Sequence, residues 1–275
     1  MTGHPRSSFA ERRYCVDVVE DPAALQLILE SFARDAGRSV YVAIETPDWS
    51  WSGGVAADEL RPMASLLKLA IAMAVEPFLD ELASQRAGDL VRRGDVSVLH
   101  SLAPSHELSP RELLALMLSA SDAPSARWAT ACAGLEAVRD AACAAGLDPA
   151  EIVPDDIFGV LGRGTARNAV DLMRAAADSV RFPACAQALR YAIVNSRIPL
   201  GVTAGDFDIA HKTGTLLGVA NDVAHLSCSR GEVWAAFLSE AQDDTLVAGY
   251  DMGICTRELL EYAGLQVSRT TSFYA

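Results

Sequence analysis

Lysine is almost absent from this chain: only Lys68 and Lys212 occur among 275 residues, against 21 arginines. Arginine stays protonated in proteins, whereas burial can pull a lysine amine toward neutrality, so a site that needs a proton acceptor can use only lysine. A coding bias accounts for the scarcity of lysine. It does not account for where the two survivors stand. Other absences narrow the reading further. No apolar run of about eighteen residues occurs, which argues against a membrane span. The N-terminal stretch MTGHPRSSFAERRYCVDVVEDP holds no apolar core of the length a secretory leader needs, so the expected location is cytoplasmic. The six cysteines form no C-x-x-C pair, and the five histidines show no ligand spacing with them. The expectation is therefore buried free thiols, no metal and no cofactor. Positive clusters are also missing. With a net charge of −13 and only the isolated pairs Arg12-Arg13 and Arg92-Arg93, the chain offers nothing to nucleic acid or an anionic membrane.

What is present suits a globular protein: 51% hydrophobic and 21% charged residues, enough for one large domain or two subdomains sharing a core. Residues 22–36 repeat apolar positions at helical spacing, and 39–46 (SVYVAIET) alternates as a strand. Pro47-Asp48 and Gly53-Gly54 mark turns around a second short strand near Trp49–Trp51. From Pro62 the pattern becomes helical, and SLLKLAIAMAVEPFLDELAS is apolar on most sides, as a buried helix would be. Ser109-Pro110 opens another helix, and Gly134 to Gly146 and Thr165 to Ser179 are two more. Residues 147–164, rich in Pro, Asp and Gly, read as a long loop. FDIAHKTGT, NDVAHLSC and VWAAFLSE are strands, and 252–263 closes the chain as a helix. Strands at both ends with helices between predict a two-lobe α+β fold. One lobe, an antiparallel sheet with flanking helices, takes 1–57 and 180–275; an all-helical lobe takes 58–179. The cleft between them is the expected ligand site.

Three short motifs carry chemistry. In Ser65-Leu66-Leu67-Lys68 a hydroxyl and an amine share one face of a helix start, whose positive potential favours an alkoxide. A neutral Lys68 could then take the Ser65 proton. Ser121-Asp122 sits in a turn between helices, where Ser121 can relay a proton to a leaving amine and Asp122 can bond backbone amides. Lys212-Thr213-Gly214-Thr215 ends a strand pattern; Lys212 offers a charge to a carboxylate, Thr213 a hydroxyl, and Gly214 room for close approach. His211 reads as a strand histidine packed against a neighbour, and Trp49, Trp51 and Trp128 as core fillers.

In this order, and within RPMASLLKLAIA, LSPRELLALMLSASD, GTARNAVDLM and HKTGTLLGVANDVA, these motifs resemble the penicillin-recognising serine hydrolases, most closely the class A β-lactamases. The resemblance runs from about residue 22 to 263. It implies a Ser65 acyl-enzyme with Lys68 as proton partner, Ser121 as proton shuttle, and Lys212 with Thr213 holding a carboxylate. It also implies an oxyanion hole of the Ser65 and Thr215 amides, typically about 3–4 kcal/mol per donor. The implied partner is a small amide or β-lactam. Three departures stand out. Ala123 replaces the family's asparagine after Ser-Asp. Residues 147–164 lack the segment that activates the deacylating water, leaving Glu151, Asp155 and Asp156 as possible bases. Asn221-Asp222 occupies the stretch where the family carries an arginine. The expected activity is therefore a β-lactamase-like hydrolase. The alternatives are a cytoplasmic transacylase or amidase, and a covalent β-lactam sensor that does not turn over.

Overall fold

Asp21 starts the first helix, α1 (Pro22–Phe32): its carboxylate accepts from Ala23 N, and Pro22 takes the first helical position. The helix ends at Phe32, four residues before the expected stop, and turns lead through Gly37 to the sheet. The computed structural model describes residues 21–203 and 205–266; the tail expected to be loose, with Cys15 and Arg12-Arg13, lies outside them.

β1 (Arg38–Glu45) pairs antiparallel with β2 (Ser50–Val55). Gly53 and Gly54 are inside β2, not in turns. A side chain at Gly53 would strike the Trp51 ring and one at Gly54 the Val40 carbonyl, so the glycines serve close packing. After β3 (Arg61–Pro62), a 3-10 turn over Ala64–Leu67 feeds α2 (Lys68–Val75), every residue of which is buried. A further 3-10 turn over Glu76–Phe78, with Pro77 inside it, follows the helix. β4 (Gln85–Arg86), α3 (Ala87–Leu90) and β5 (Glu107–Leu108) form a small excursion. Ser109 and Glu112 make a reciprocal capping box at the head of α4 (Pro110–Ser119). Asp122 caps α5 (Ala123–Ala133), and α6 (Leu135–Cys143) follows Gly134.

The expected long loop is a hairpin. β6 (Ile152–Asp155) pairs with β7 (Gly159–Gly164), and β7 also pairs with β3. Its glycines sit where there is no room for a side chain: a Cβ at Gly162 would meet Glu151 O, and one at Gly164 the Met63 thioether. α7 (Ala166–Ala176) begins with a Thr165–Asn168 capping box, and α8 (Pro183–Leu189), which the sequence pattern did not reveal, packs on α4.

β8 (Asp208–Leu216), β9 (Val219–Cys228) and β10 (Gly231–Ser239) complete a five-stranded antiparallel sheet in the order β2-β1-β10-β9-β8. α9 (Thr245–Tyr262) starts seven residues earlier than expected, capped by Asp244. Gly249 and Gly253 interrupt its apolar pattern, and both lie against the segment around Arg197 and Leu200. The fold is α+β. One core lies between the sheet and α1 with α9; the other joins the opposite sheet face, through α7, to α2 and the remaining helices. Trp128 fills the second core, while Trp49 and Trp51 pack half-buried on the first. Among the described cysteines all are free, but Cys132 and Cys143 are exposed, contrary to expectation. Among the described residues, no helix is long and apolar enough to cross a membrane.

Candidate active site

Ala64 takes a left-handed φ of 50°, an uncommon conformation for a residue with a side chain, and so turns the chain into the 3-10 helix that presents Ser65. In a 3-10 turn residues three apart eclipse, which sets Ser65 and Lys68 on one side. The Ser65 side chain is half-buried and its hydroxyl makes no hydrogen bond among the described residues.

Lys68, 2% exposed, instead directs its ammonium at Ser121: 2.5 Å to the carbonyl and 3.3 Å to Oγ. Ser121 is also left-handed, at φ 57°, and this brings both its carbonyl and its hydroxyl to bear on one amine. That carbonyl gives Lys68 an acceptor where Ala123 offers no side-chain amide. Lys212 donates to the same Ser121 Oγ at 3.0 Å and to its neighbour's carbonyl, Thr213 O, at 2.8 Å. Two amines thus meet at one hydroxyl. Burial pulls the Lys68 pKa down to about 8, opposed in part by the Asp122 charge. Lys212 is driven well below the usual lysine range by burial and by the charges of Lys68 and Arg197, with Asp222 acting the other way. Asp122 itself is buried and satisfied, accepting from Ser97 Oγ, from Ser125 N at 3.0 Å and from Ser125 Oγ at 2.6 Å.

Gly214 has a tighter constraint than ligand access. A Cβ there would lie 2.9 Å from Met63 O and 3.3 Å from Ser65 N, so β8 runs flush against the turn carrying the serine. Thr213 is buried and Thr215 exposed, both on the strand face opposite Lys212 and Gly214.

Sequence reasoning gave no role to three residues here, naming Asn221-Asp222 only as a departure and Arg197 not at all. Asn221 donates from Nδ2 to Pro62 O at 2.7 Å and accepts from Ser239 N at 2.8 Å, clamping the chain just before Ser65 to the sheet. Arg197 bonds Gly214 O at 2.9 Å, Asn221 O, and Thr215 Oγ1 at 2.5 Å. It supplies a guanidinium at the strand end from a different part of the chain than the sequence comparison suggested. Asp222 accepts from Ile198 N and faces His211 Nδ1, each at 3.1 Å. The available signal was two polar residues side by side, Asn221-Asp222, in an otherwise apolar strand. His211 is buried, its other ring nitrogen 3.2 Å from Asn195 Oδ1.

The hairpin carboxylates stand apart. Asp155 accepts from Ile157 N and Phe158 N at 2.8 and 2.7 Å, closing its own turn. The Asp156 side chain is exposed, with its carbonyl held by Arg92, and Glu151 is half-buried in a 3-10 turn. Among the described residues none of the three hydrogen-bonds to Ser65, Lys68 or Ser121.

A model of the β-lactamase enzyme family matches residues 23–251. Among solved structures, a β-lactamase from Sphaerobacter thermophilus is 23% identical with a TM-score of 0.75, covering 90% of this chain and 98% of its own. A class A β-lactamase from Mycobacterium abscessus is 22% identical, with a TM-score of 0.68 and coverages of 87% and 99%. A PBP-A variant solved as an acyl-enzyme with penicillin G is 18% identical, with a TM-score of 0.71 and coverages of 90% and 98%. None of the proteins with curated descriptions matches at the level of sequence.

Proposed function

The chain belongs to the β-lactamase enzyme family, and from that premise we propose that it opens a β-lactam or related amide through an ester on Ser65. The reaction would take place in the cleft between the lobe built from both chain ends and the helical lobe. The convergence of Lys68 and Lys212 on the Ser121 hydroxyl carries this reading. Lys68, with its pKa near 8, is neutral in a usable fraction of molecules at physiological pH and accepts the Ser65 proton. Ser65 Oγ attacks the carbonyl, and the amides of Ser65 and Thr215 stabilise the oxyanion. Ser121 delivers a proton to the leaving nitrogen. The Thr213 and Thr215 hydroxyls, with Lys212 behind one face of the strand and Arg197 behind the other, receive the substrate's carboxylate.

One observation favours a second reading for the later half of the reaction. Asp155 is committed to its turn, and neither Asp156 nor Glu151 bonds to the cluster. Discharge by water then lacks a dedicated base. The ester either persists, as in a covalent sensor, or passes to an amine or alcohol, as in a transacylase.

Hydrolysis of a chromogenic cephalosporin, with intact mass followed over time, tests all of this. A Ser65 adduct must form in the native protein and be absent in Ser65→Ala with an unchanged melting curve. Full activity in that variant overturns the assignment. Rapid loss of the adduct supports hydrolysis, a persistent adduct the sensor, and loss only with added amine the transacylase.

A further inference from the structure

We propose that two neighbours on β9, Asn221 and Asp222, are positioning residues for acylation: from opposite faces of the sheet, Asn221 holds the turn that carries Ser65 and Asp222 holds the segment that carries Arg197. The inference rests on the Ser65 acyl-enzyme and concerns how the two halves of its site are kept in place.

Both side chains are fully buried, between the apolar pairs Val219-Ala220 and Val223-Ala224. Burying an amide or a carboxylate costs stability unless its hydrogen bonds are met, so the partners of each are informative. Adjacent strand residues point to opposite faces. The register sets Asn221 across from Gly214 and Asp222 across from Thr213. Asn221 therefore shares the face of Gly214, which lies against Met63 and Ser65, while Asp222 shares that of His211 and Thr213.

On the first face the Asn221 amide joins two elements. Its Nδ2 donates to Pro62 O at 2.7 Å, three residues ahead of Ser65, and its Oδ1 accepts from Ser239 N at 2.8 Å. Pairing of β9 with β10 runs as far as Asp222–Phe237, and beyond it this side chain takes over the ladder. The residue that continues the sheet therefore also holds the chain entering the left-handed Ala64. On the second face Asp222 accepts from Ile198 N at 3.1 Å and faces His211 Nδ1 at 3.1 Å, and His211 Nε2 lies 3.2 Å from Asn195 Oδ1. Residues 195 and 198 are thus both tied, with Arg197 between them. Its guanidinium reaches Gly214 O at 2.9 Å and Thr215 Oγ1 at 2.5 Å. Thr215 accepts there, which leaves its own hydroxyl proton for a ligand. Burial disfavours the charged form of Arg197, and the Asp222 charge acts against that. Loss of the Asn221 tie lets the nucleophile's turn shift against β8, which acts on the reacting step. Loss of the Asp222 charge loosens Arg197 and Thr215, which acts on binding before that step.

Stopped-flow acylation by a chromogenic cephalosporin over a range of concentrations reads the limiting rate and the half-saturating concentration separately. Asn221→Ala should lower the limiting rate by about tenfold or more, since small displacements of a reacting group are costly, and leave half-saturation within about twofold. Asp222→Asn, which keeps the shape and removes the charge, should do the reverse: half-saturation rises by about tenfold or more while the limiting rate stays within about twofold. Asn221→Ser replaces the first variant should it fold poorly, and His211→Phe, which frees Asn195, replaces the second. Melting curves confirm that each variant is folded. Native values in a folded variant, equal changes in both parameters, or the two effects exchanged between the residues overturn the proposal and leave the acyl-enzyme standing. Absence of a Ser65 adduct in the native protein with both the cephalosporin and benzylpenicillin removes the acyl-enzyme and this inference together.

Discussion

Lys68 and Lys212 donate to the same hydroxyl, Ser121 Oγ, at 3.3 and 3.0 Å. Two ammonium groups so placed raise each other's energy when both are charged, and both are buried. The arrangement favours release of a proton from the pair. In the proposed mechanism Lys68, which bonds Ser121 through both its carbonyl and its hydroxyl, is the member that exchanges that proton with Ser65.

The rate of Ser65 acylation should therefore rise with pH up to about 8, where Lys68 loses its proton, and level off above it. Lys68→Arg keeps a cation that cannot deprotonate, so it should remove the rising limb and cost a factor of about 100 or more. Stopped-flow acylation by a chromogenic cephalosporin between pH 6 and 9 reads both effects. A Lys68→Arg variant with native rate and native pH profile would show that Lys68 supplies charge alone.

The same burial has a cost in stability with a definite sign. Lys68 titrates near 8 in the folded chain and at the ordinary 10.5 when unfolded. Below pH 8 both states hold the proton and the folded state bears the full penalty, about 3 kcal/mol for that gap. As pH rises from 8 to 10.5 the unfolded chain binds more protons than the folded one, so the penalty fades. Lys68→Met should thus stabilise the protein at pH 7 by about 1–3 kcal/mol, less the lost bond to Ser121, while abolishing acylation. Its advantage should shrink between pH 8 and 10.5. Urea denaturation at pH 7 and pH 10 measures the difference, and equal gains at the two values would contradict the assignment of the penalty to Lys68.

How far the sequence could be read depends on how local each feature is. Ser65–Lys68, Ser121-Asp122 and Lys212–Thr215 lie in short segments, and local periodicity placed them on a helix start, a turn and a strand. Arg197 reaches Thr215 across 18 residues and Asn221 reaches Pro62 across 159, so sheet register and packing decide those contacts. Residues 147–164 misled for another reason. Proline, aspartate and glycine usually mark turns, but Gly162 and Gly164 are there because a side chain at the first would meet Glu151 O and one at the second the Met63 thioether. Gly53 and Gly54 misled in the same way. Composition records that a side chain is missing, not whether the backbone turns there or something packs into the space.

Asp155 closes the β6–β7 turn through two backbone amides, and this assigns it a structural part. Asp155→Ala should lower stability by about 1–2 kcal/mol and leave the lifetime of the Ser65 adduct unchanged. Asp156→Asn, at an exposed side chain, should alter neither. Melting curves paired with timed intact mass separate the two readouts. A longer adduct lifetime in either variant would return that aspartate to the deacylation chemistry.

Gly214 offers the most direct test of how the strand and the proposed nucleophile are coupled. A methyl group there meets Met63 O at 2.9 Å and Ser65 N at 3.3 Å, both backbone atoms that cannot rotate away. Either β8 retreats from the Ser65 turn or the turn distorts. Overpacking of this kind costs about 1–3 kcal/mol, so the protein should still fold. The proposed oxyanion donors, Ser65 N and Thr215 N, belong to the two segments being pushed apart. Loss of one such donor costs about 100-fold or more in turnover. Gly214→Ala should therefore lose acylation by about that factor while binding a carboxylate ligand nearly as well, since the Thr213 and Thr215 hydroxyls move together with β8. Kinetics and calorimetric titration on the folded variant distinguish the outcomes: native acylation would mean that the two amides do not act as a pair.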